Sequence, residues 1–424
     1  CAEAYSEKRF PGGAAPIHEM KDGIYSLELW HGPTSAFKDM ALQIMPRLLS
    51  RALSMTGERR IAHILVATSG DTGKAALEGF KDVEKTKIMV FYPNDGVSPM
   101  QKLQMTTQEG KNVGVCAING NFDDAQSGVK AIFTDPSVAK KLEENNMMFS
   151  SANSINWGRL VPQIVYYISA YCDLIENGSI KNGEKINIVV PTGNFGNILA
   201  AYYAKRMGLP VKKLICASNA NNVLTDFFES GRYDKNRKFY TTESPSMDIL
   251  ISSNLERLLF HLCGENDVLV KEWMKSLSEK GEYEVSDAVK KQIFDLFDAG
   301  CCNDEETNQT IAETFKNGYL LDTHTAVAVK VYKDYVEKTE DKTQTVIAST
   351  ANPYKFSAAV LKSIDSCDHS KADEFEQVEL LIKESGVSCP PQLSSLRGKT
   401  PRFTECCNKE DMAKAVYKML GISD

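Results

Sequence analysis

No Cys-x-x-Cys pair occurs in this chain, although its 11 cysteines run from Cys1 to Cys407. Zinc and dithiol redox motifs need that close spacing, and an odd number of scattered thiols is the usage of a reducing compartment rather than of a disulfide framework. The pairs Cys301/Cys302 and Cys406/Cys407, and the neighbours Cys367 and His369, are each too isolated to supply about four convergent ligands, so no metal is expected. Also missing is any run of roughly 18 to 20 uncharged apolar residues, and the first residues, CAEAYSEKRFPGG, hold no apolar signal segment. Nor is there an excess of positive charge. With 49 Lys and Arg against 56 Asp and Glu, and a net charge of -7, the chain has no surplus of cations with which to displace the counterions of a polyanion. Neither nucleic acid nor a membrane is expected as a partner, and a soluble, cytoplasmic protein is. The chain opens at Cys1 within what reads as a helical segment, which suggests that part of its natural beginning is missing.

What is present is enough to build a substantial core: 424 residues, 42% of them hydrophobic and 25% charged, sufficient for roughly two to three domains. Short apolar runs rich in β-branched residues are each followed by a Gly/Ser/Thr/Asn turn and then a stretch with helical spacing. RIAHILVATSG precedes KAALEGF, KINIVVPTGN precedes ILAAYYAKRM, and KKLICASNA precedes VLTDFFES. KIMVFYP from Lys87, NVGVCAI from Asn112 and TVIAST from Thr345 read as further strands. This alternation predicts an α/β fold with mostly parallel sheets covered by helices on both faces. No internal repeat is present. The stretches Gly231 to Ser246 and Asn303 to Gln309 read as surface excursions, and Glu284 to Ala299 as a solvated amphipathic helix. The division expected is 1–60 with the lysine-bearing segment, 61–150 as a smaller lobe, and 151–424 as a larger lobe.

Three segments bear chemistry. In LELWHGPTSAFKDMALQ, Lys38 opens the helical pattern Met40 to Leu53, where the positive end of the helix dipole disfavours an ammonium and a neutral amine suits Schiff-base chemistry. The plain alternative is a solvated lysine beside Asp39. In VVPTGNFGNILAAYYAKRMG, a strand stops at Pro191 and passes through Gly193, Asn194, Phe195, Gly196 and Asn197 into a helix, a geometry that fits either a phosphate cradle or a tight turn. Its spacing is neither Walker A nor G-x-G-x-x-G, which argues against ATP and NAD. In VATSGDTGKAAL, Thr68, Ser69, Thr72 and Gly73 offer hydroxyls and amides to a carboxylate or phosphate. Gly70 to Lys74 lacks the P-loop spacer and has Ala75 where a magnesium-binding hydroxyl belongs, which excludes a standard NTPase.

Taken with SANSINWGRLVPQ, HTAVAV from His324 and ASTANPYKFSAAV from Ala348, these motifs resemble the pyridoxal-phosphate enzymes of the tryptophan-synthase β-like fold, fold-type II. Within that group they resemble the longer, microbial threonine synthases. The resemblance spans nearly the whole chain in the family's order, and it lacks several tens of residues that usually precede the matching region. It implies pyridoxal 5'-phosphate attached to Lys38, its phosphate held by Gly193, Asn194, Phe195, Gly196 and Asn197, and Thr350 as a neutral hydroxyl partner of the ring nitrogen. Asn153 is implied at the cofactor's 3-oxygen or the substrate. Ser69, Asp71, Thr72, Ser154, Asn156 and Arg159 are implied around the substrate and its phosphate, with His31 either positioning the substrate or lying as a buried neutral imidazole. The implied reaction turns O-phospho-L-homoserine and water into L-threonine and phosphate, by a monomer or, as the alternative, a dimer. A lyase of the same fold releasing 2-oxobutyrate, or a non-catalytic relative that binds another protein, are the rival expectations.

Overall fold

The computed structural model describes residues 1–68, 70–95 and 97–423. They divide into two compact units, each made of separated stretches of chain: Cys1–Ala14, His31–Arg159 and Cys389–Asp424 in the first, Ala15–Trp30 and Leu160–Ser388 in the second. This differs from consecutive blocks at 1–60, 61–150 and 151–424, because strand pairing draws two sequence-distant pieces across those limits. Ile24–Glu28 pairs with Thr345–Ser349 in the second unit, and Cys406–Cys407 pairs with Val113–Ile118 in the first.

The first unit is built on five parallel strands in the order Cys406–Cys407, Val113–Ile118, Thr86–Pro93, Ile61–Ala67, Met147–Ser150. Successive side chains of a strand point to opposite faces, and both faces here are apolar. Ile64, Val66, Ile88, Val90 and Tyr92 join Leu77 and Phe80 on one side. Leu65, Met89 and Phe91 join Ile132, Leu142, Met412 and Val416 on the other. The uninterrupted apolar run KIMVFYP follows from that double coverage.

The second unit holds a six-stranded sheet in the order Ile17–Lys21, Ile24–Glu28, Thr345–Ser349, Ile186–Pro191, Val211–Ser218, Phe297–Cys301. Only the first pair is antiparallel. The helix Thr323–Thr339 packs along four of its five parallel strands, Thr345–Ser349, Ile186–Pro191, Val211–Ser218 and Phe297–Cys301, which explains why HTAVAV has no polar face: His324, Thr325, Ala326, Val327 and Ala328 are all buried.

All six strand runs expected from the sequence form strands. Three local expectations are corrected, and a fourth, the amphipathic helix, is found with narrower bounds. Residues 1–13 form hydrogen-bonded turns rather than a helix, broken by Pro11, Gly12 and Gly13. Gly231 to Ser246 is no simple excursion: Arg232–Asp234 pairs with Glu282–Glu284, and Tyr233 and Ser244 are buried. Asn303 caps the helix Asp304–Lys316 through a reciprocal bond with Glu306, so the polar run is a helix start. Glu284 to Ala299 contains the helix Asp287–Leu296, which ends where Phe297 enters the sheet beside Leu214. Among the described residues all cysteines are unpaired, and no helix is long and apolar enough to cross a membrane.

Candidate active site

Lys38 precedes the four-residue helix Asp39–Leu42, and a second helix, Met45–Met55, follows. The expected single helix from Met40 to Leu53 is interrupted because Pro46 lacks an N–H and its ring crowds the preceding turn. The Leu42 carbonyl left there lies against Gly79, where a Cβ would stand 1.9 Å from that oxygen, so only glycine permits the helix Asp71–Phe80 to approach. Asp39 shapes the turn that carries Lys38. Its carboxylate is fully buried and accepts the Thr34 amide at 2.7 Å and the Thr34 hydroxyl at 2.8 Å, which fixes the turn before the lysine. Lys38 lies 3.8 Å from Asp71, with side chains only 11% and 4% exposed. Gln101 donates to the other oxygen of Asp71 at 2.8 Å. Lys38 is therefore a largely enclosed amine facing a carboxylate, and a solvated surface lysine is ruled out.

The turn leading to Asp71 is tied by Thr68, whose hydroxyl accepts the amides of Gly70 at 3.0 Å and Gly73 at 2.9 Å. Thr72 is half-buried in the first turn of the helix. Ser69 lies outside the described residues. Lys74, the other lysine of this motif, is engaged by Gln108 and by Glu78.

In the same unit, SANSINWGR makes a capped turn. Asn156 donates to Ser151 at 2.8 Å and accepts the Gly158 amide at 2.8 Å, so both ends of its side chain hold the start of the helix Trp157–Glu176. Asn153 is exposed and accepts the Ser154 hydroxyl at 3.2 Å. Arg159 is buried, burial pushes its pKa down to about 10, and its Nη1 donates to Ala152 at 3.1 Å. His31 is half-buried.

In the second unit the strand Ile186–Pro191 runs through Thr192 to Asn194 and into the helix Gly196–Arg206. Phe195 bends the chain with a left-handed φ of 64° while its ring is buried against Phe228 and Phe297. That burial offsets the cost of a non-glycine residue in this conformation. The loop is braced from behind: Ser252 donates to the Gly193 carbonyl at 2.9 Å and Asn254 to the Asn194 carbonyl at 2.9 Å. A Cβ on Gly193 would stand 2.6 Å from the Ser246 carbonyl, whereas one on Gly196 would meet only Asn254, at 3.5 Å. Asn197 accepts the hydroxyls of Tyr166 and Tyr167, and its buried Nδ2 has no hydrogen-bond partner. Thr350 is buried directly after the strand Thr345–Ser349.

A further layer, to which sequence reasoning assigned no role, holds that loop. The Ser246 amide meets His324 Nε2 at 3.2 Å, and Nδ1 of the same ring meets Asp322 at 3.1 Å. Because Nε2 accepts from an amide, the ring proton sits on Nδ1 and is donated to Asp322. The only sequence signal was HTAVAV itself, a helix start with a histidine in an apolar run.

Taken by itself, the loop of the second unit fits a phosphate, and the lysine segment of the first unit fits an aldehyde-binding amine. The first amides of the helix Gly196–Arg206 have no partner inside it and favour an anion. The orphan Nδ2 of Asn197 adds a donor to that loop, Gly196 leaves open space beside it, and in the first unit Lys38 is an enclosed primary amine. Residues 13–351 match the pyridoxal-phosphate-dependent enzymes, so the class of the protein is that of the fold-type II enzymes using this cofactor. Residues 325–416 match the threonine synthase C-terminal region. Threonine synthase of Saccharomyces cerevisiae is 40% identical over 422 residues, 95% of this chain and 79% of that one. The PLP-bound threonine synthase of Brucella melitensis has a similar structure, with a TM-score of 0.85 at 38% identity, covering 99% of this chain and 83% of that one. Human threonine synthase-like 1 is 40% identical over 406 residues, 94% of this chain but 53% of its own length, so the chain spans about half of that relative. The chain belongs to the threonine synthase family.

Proposed function

We propose that this chain converts O-phospho-L-homoserine and water into L-threonine and phosphate. The observation that supports this most strongly is that the likeness to threonine synthases runs through both the cofactor-enzyme region, 13–351, and the C-terminal region, 325–416. When bound, pyridoxal phosphate withdraws electrons from the substrate's amine-bearing carbon, which makes removal of the Cα and then the Cβ proton feasible. Lys38 attaches the cofactor and, once its amine is released, moves the proton at Cα and returns one at Cγ. Asp71, oriented by Gln101, sets the position of that amine. The amides of Gly193, Asn194, Phe195, Gly196 and Asn197 hold the cofactor phosphate, Thr350 offers its hydroxyl to the ring nitrogen, and Asn153 serves either the 3-oxygen or the substrate.

Arg159, with Ser154, Thr72 and Ser69, takes the substrate phosphate, and His31 positions the substrate. Burial has stripped much of the hydration from the Arg159 guanidinium, and its bond to Ala152 fixes the guanidinium plane, which favours capture of a dianion. Asn156 acts on the substrate through Arg159, by holding the turn from which it projects. The reading extends to a monomer working in the cytoplasm, on the sequence pattern alone; size-exclusion chromatography with light scattering tests the first.

The deciding experiment incubates the holoenzyme with O-phospho-L-homoserine and quantifies threonine, 2-oxobutyrate and phosphate. Threonine and phosphate in equal amounts are expected, and 2-oxobutyrate with hardly any threonine would show a lyase instead. Arg159→Ala should lower threonine formation more than phosphate release. Borohydride reduction should leave a pyridoxyl group on Lys38, and a label on Lys74 would overturn the assignment.

A further inference from the structure

The helix Ser357–Ile364 ends at Asp365, and the helix Glu374–Ser385 begins after its cap, Asp373. The short connection between them reads Asp-Ser-Cys-Asp-His from 365 to 369. From the sequence, Cys367 and His369 offered only two ligand types in isolation. Folding adds a third. Asp365 Oδ1 accepts the Cys367 amide at 3.0 Å, which closes a turn, and Asp365 Oδ2 lies 2.7 Å from His369 Nε2. The spacing i, i+2, i+4 thus brings one carboxylate oxygen, one sulfur and one imidazole nitrogen to the same side of the turn, all within 4.8 Å of one another. The backbone that carries His369 is tied in turn, its carbonyl accepting the Ala372 amide at 3.0 Å.

We propose that Asp365, Cys367 and His369 bind one divalent ion of the zinc class, outside the residues assigned to the reaction and independently of it. Ligands around tetrahedral zinc, at metal distances of about 2.0–2.3 Å, stand roughly 3.3–3.8 Å apart, so the Asp365–His369 pair, now at 2.7 Å, has to open by about 0.6 Å, and the donors up to 4.8 Å apart have to close by about 1–1.5 Å at most. The mixed sulfur, nitrogen and oxygen set selects Zn²⁺ or Co²⁺. Magnesium and calcium require six or more oxygens and are excluded by the same set. Three protein donors leave the fourth position to water. On binding, the Cys367 thiol gives its proton to solvent and the ring proton of His369 moves to Nδ1, so one proton is released for each ion bound. The ion would tie the end of one helix to the start of the next.

Cobalt tests this directly on the chelator-treated holoenzyme. Titration with Co²⁺ should reach one ion per chain and develop visible d–d bands together with a thiolate-to-metal transition. Cys367→Ser should abolish that transition, and both Cys367→Ser and His369→Ala should weaken binding at least tenfold. Zn²⁺ should raise the melting temperature of the wild type and not of these variants. Threonine formation should be unchanged in both variants, since neither residue belongs to the catalytic set. The proposal is overturned if the wild type binds no Co²⁺, or if stoichiometry and bands persist in both variants, which would place the ion on another cysteine. Either result leaves the assigned reaction standing, because product analysis does not involve these residues.

Discussion

Gly193 and Gly196 stand three residues apart in one loop and do different things. At Gly193 the Ser246 carbonyl occupies the position a side chain would need, at 2.6 Å from the virtual Cβ, and backbone cannot swing aside as a flexible side chain would. At Gly196 a methyl group fits beside Asn254. Gly193→Ala should therefore destabilise the second unit by about 1–3 kcal/mol, the usual cost of overpacking, and weaken cofactor binding by displacing the loop. Gly196→Ala should keep its stability, and Gly196→Asp should lose cofactor affinity through charge, a carboxylate facing a phosphate. Thermal unfolding and fluorescence titration with pyridoxal phosphate separate these outcomes. Equal loss of stability in Gly193→Ala and Gly196→Ala would refute the steric argument. The contrast at Lys38 has the same character: the adjacent carboxylate, Asp39, accepts from Thr34, and a carboxylate 33 positions away, Asp71, lies 3.8 Å from the amine.

Helix starts organise most of what lies behind the loop. Asp322 caps the helix Thr323–Thr339 by accepting the His324 amide at 2.9 Å, and it also holds the His324 ring in the tautomer whose Nε2 can accept from Ser246. One carboxylate thus joins a helix cap to the segment that backs Gly193. Asp322→Ala should cost about 1–2 kcal/mol through loss of the cap. His324→Leu removes the acceptor for the Ser246 amide, whereas His324→Gln keeps an acceptor within reach. Cofactor affinity is expected to fall several-fold in the leucine variant and to recover in the glutamine variant. A fall of the same size in both would mean that His324 contributes only volume.

At the scale of the whole molecule, the first unit carries an acid-sensitive element in its sheet. His63 lies in the strand Ile61–Ala67, fully buried, with neither ring nitrogen hydrogen-bonded. Burial, reinforced by the charge of Lys87, pushes its pKa down from 6.5 to about 3. The unfolded chain takes up this proton near pH 6.5 while the folded chain does not until about pH 3, so between those values the unfolded state binds more protons. Stability supplied by the neutral ring is present above about pH 6.5 and is lost progressively as the pH falls toward 3. His63→Leu should flatten this part of the profile without affecting stability at pH 8 by more than the repacking of one side chain. Denaturant midpoints measured from pH 4 to pH 8 check it, and parallel profiles for wild type and variant would contradict it.

Strands buried on both faces were legible from sequence because each face demands apolar residues, and a run such as KIMVFYP satisfies both without reference to its neighbours. The turn-and-helix motifs at Lys38, Gly193 and Thr350 were legible too, since local backbone chemistry shapes them. The strands Met147–Ser150 and Cys406–Cys407 were not, being four and two residues long and made into strands only by partners far along the chain. The hairpin of Ile17–Lys21 and Ile24–Glu28 is of the same kind, since its place in the sheet comes from Thr345–Ser349. The sequence by itself determined the fold class and the cofactor class, and it singled out Lys38 as the candidate lysine. Only the tertiary structure decided that Asp71 faces that lysine, that His324 and Asp322 stand behind the glycine loop, and that Asp365 joins Cys367 and His369. The physical reason is common to all three: a hydrogen bond or ion pair needs a few ångströms of separation in space and places no condition on separation along the chain.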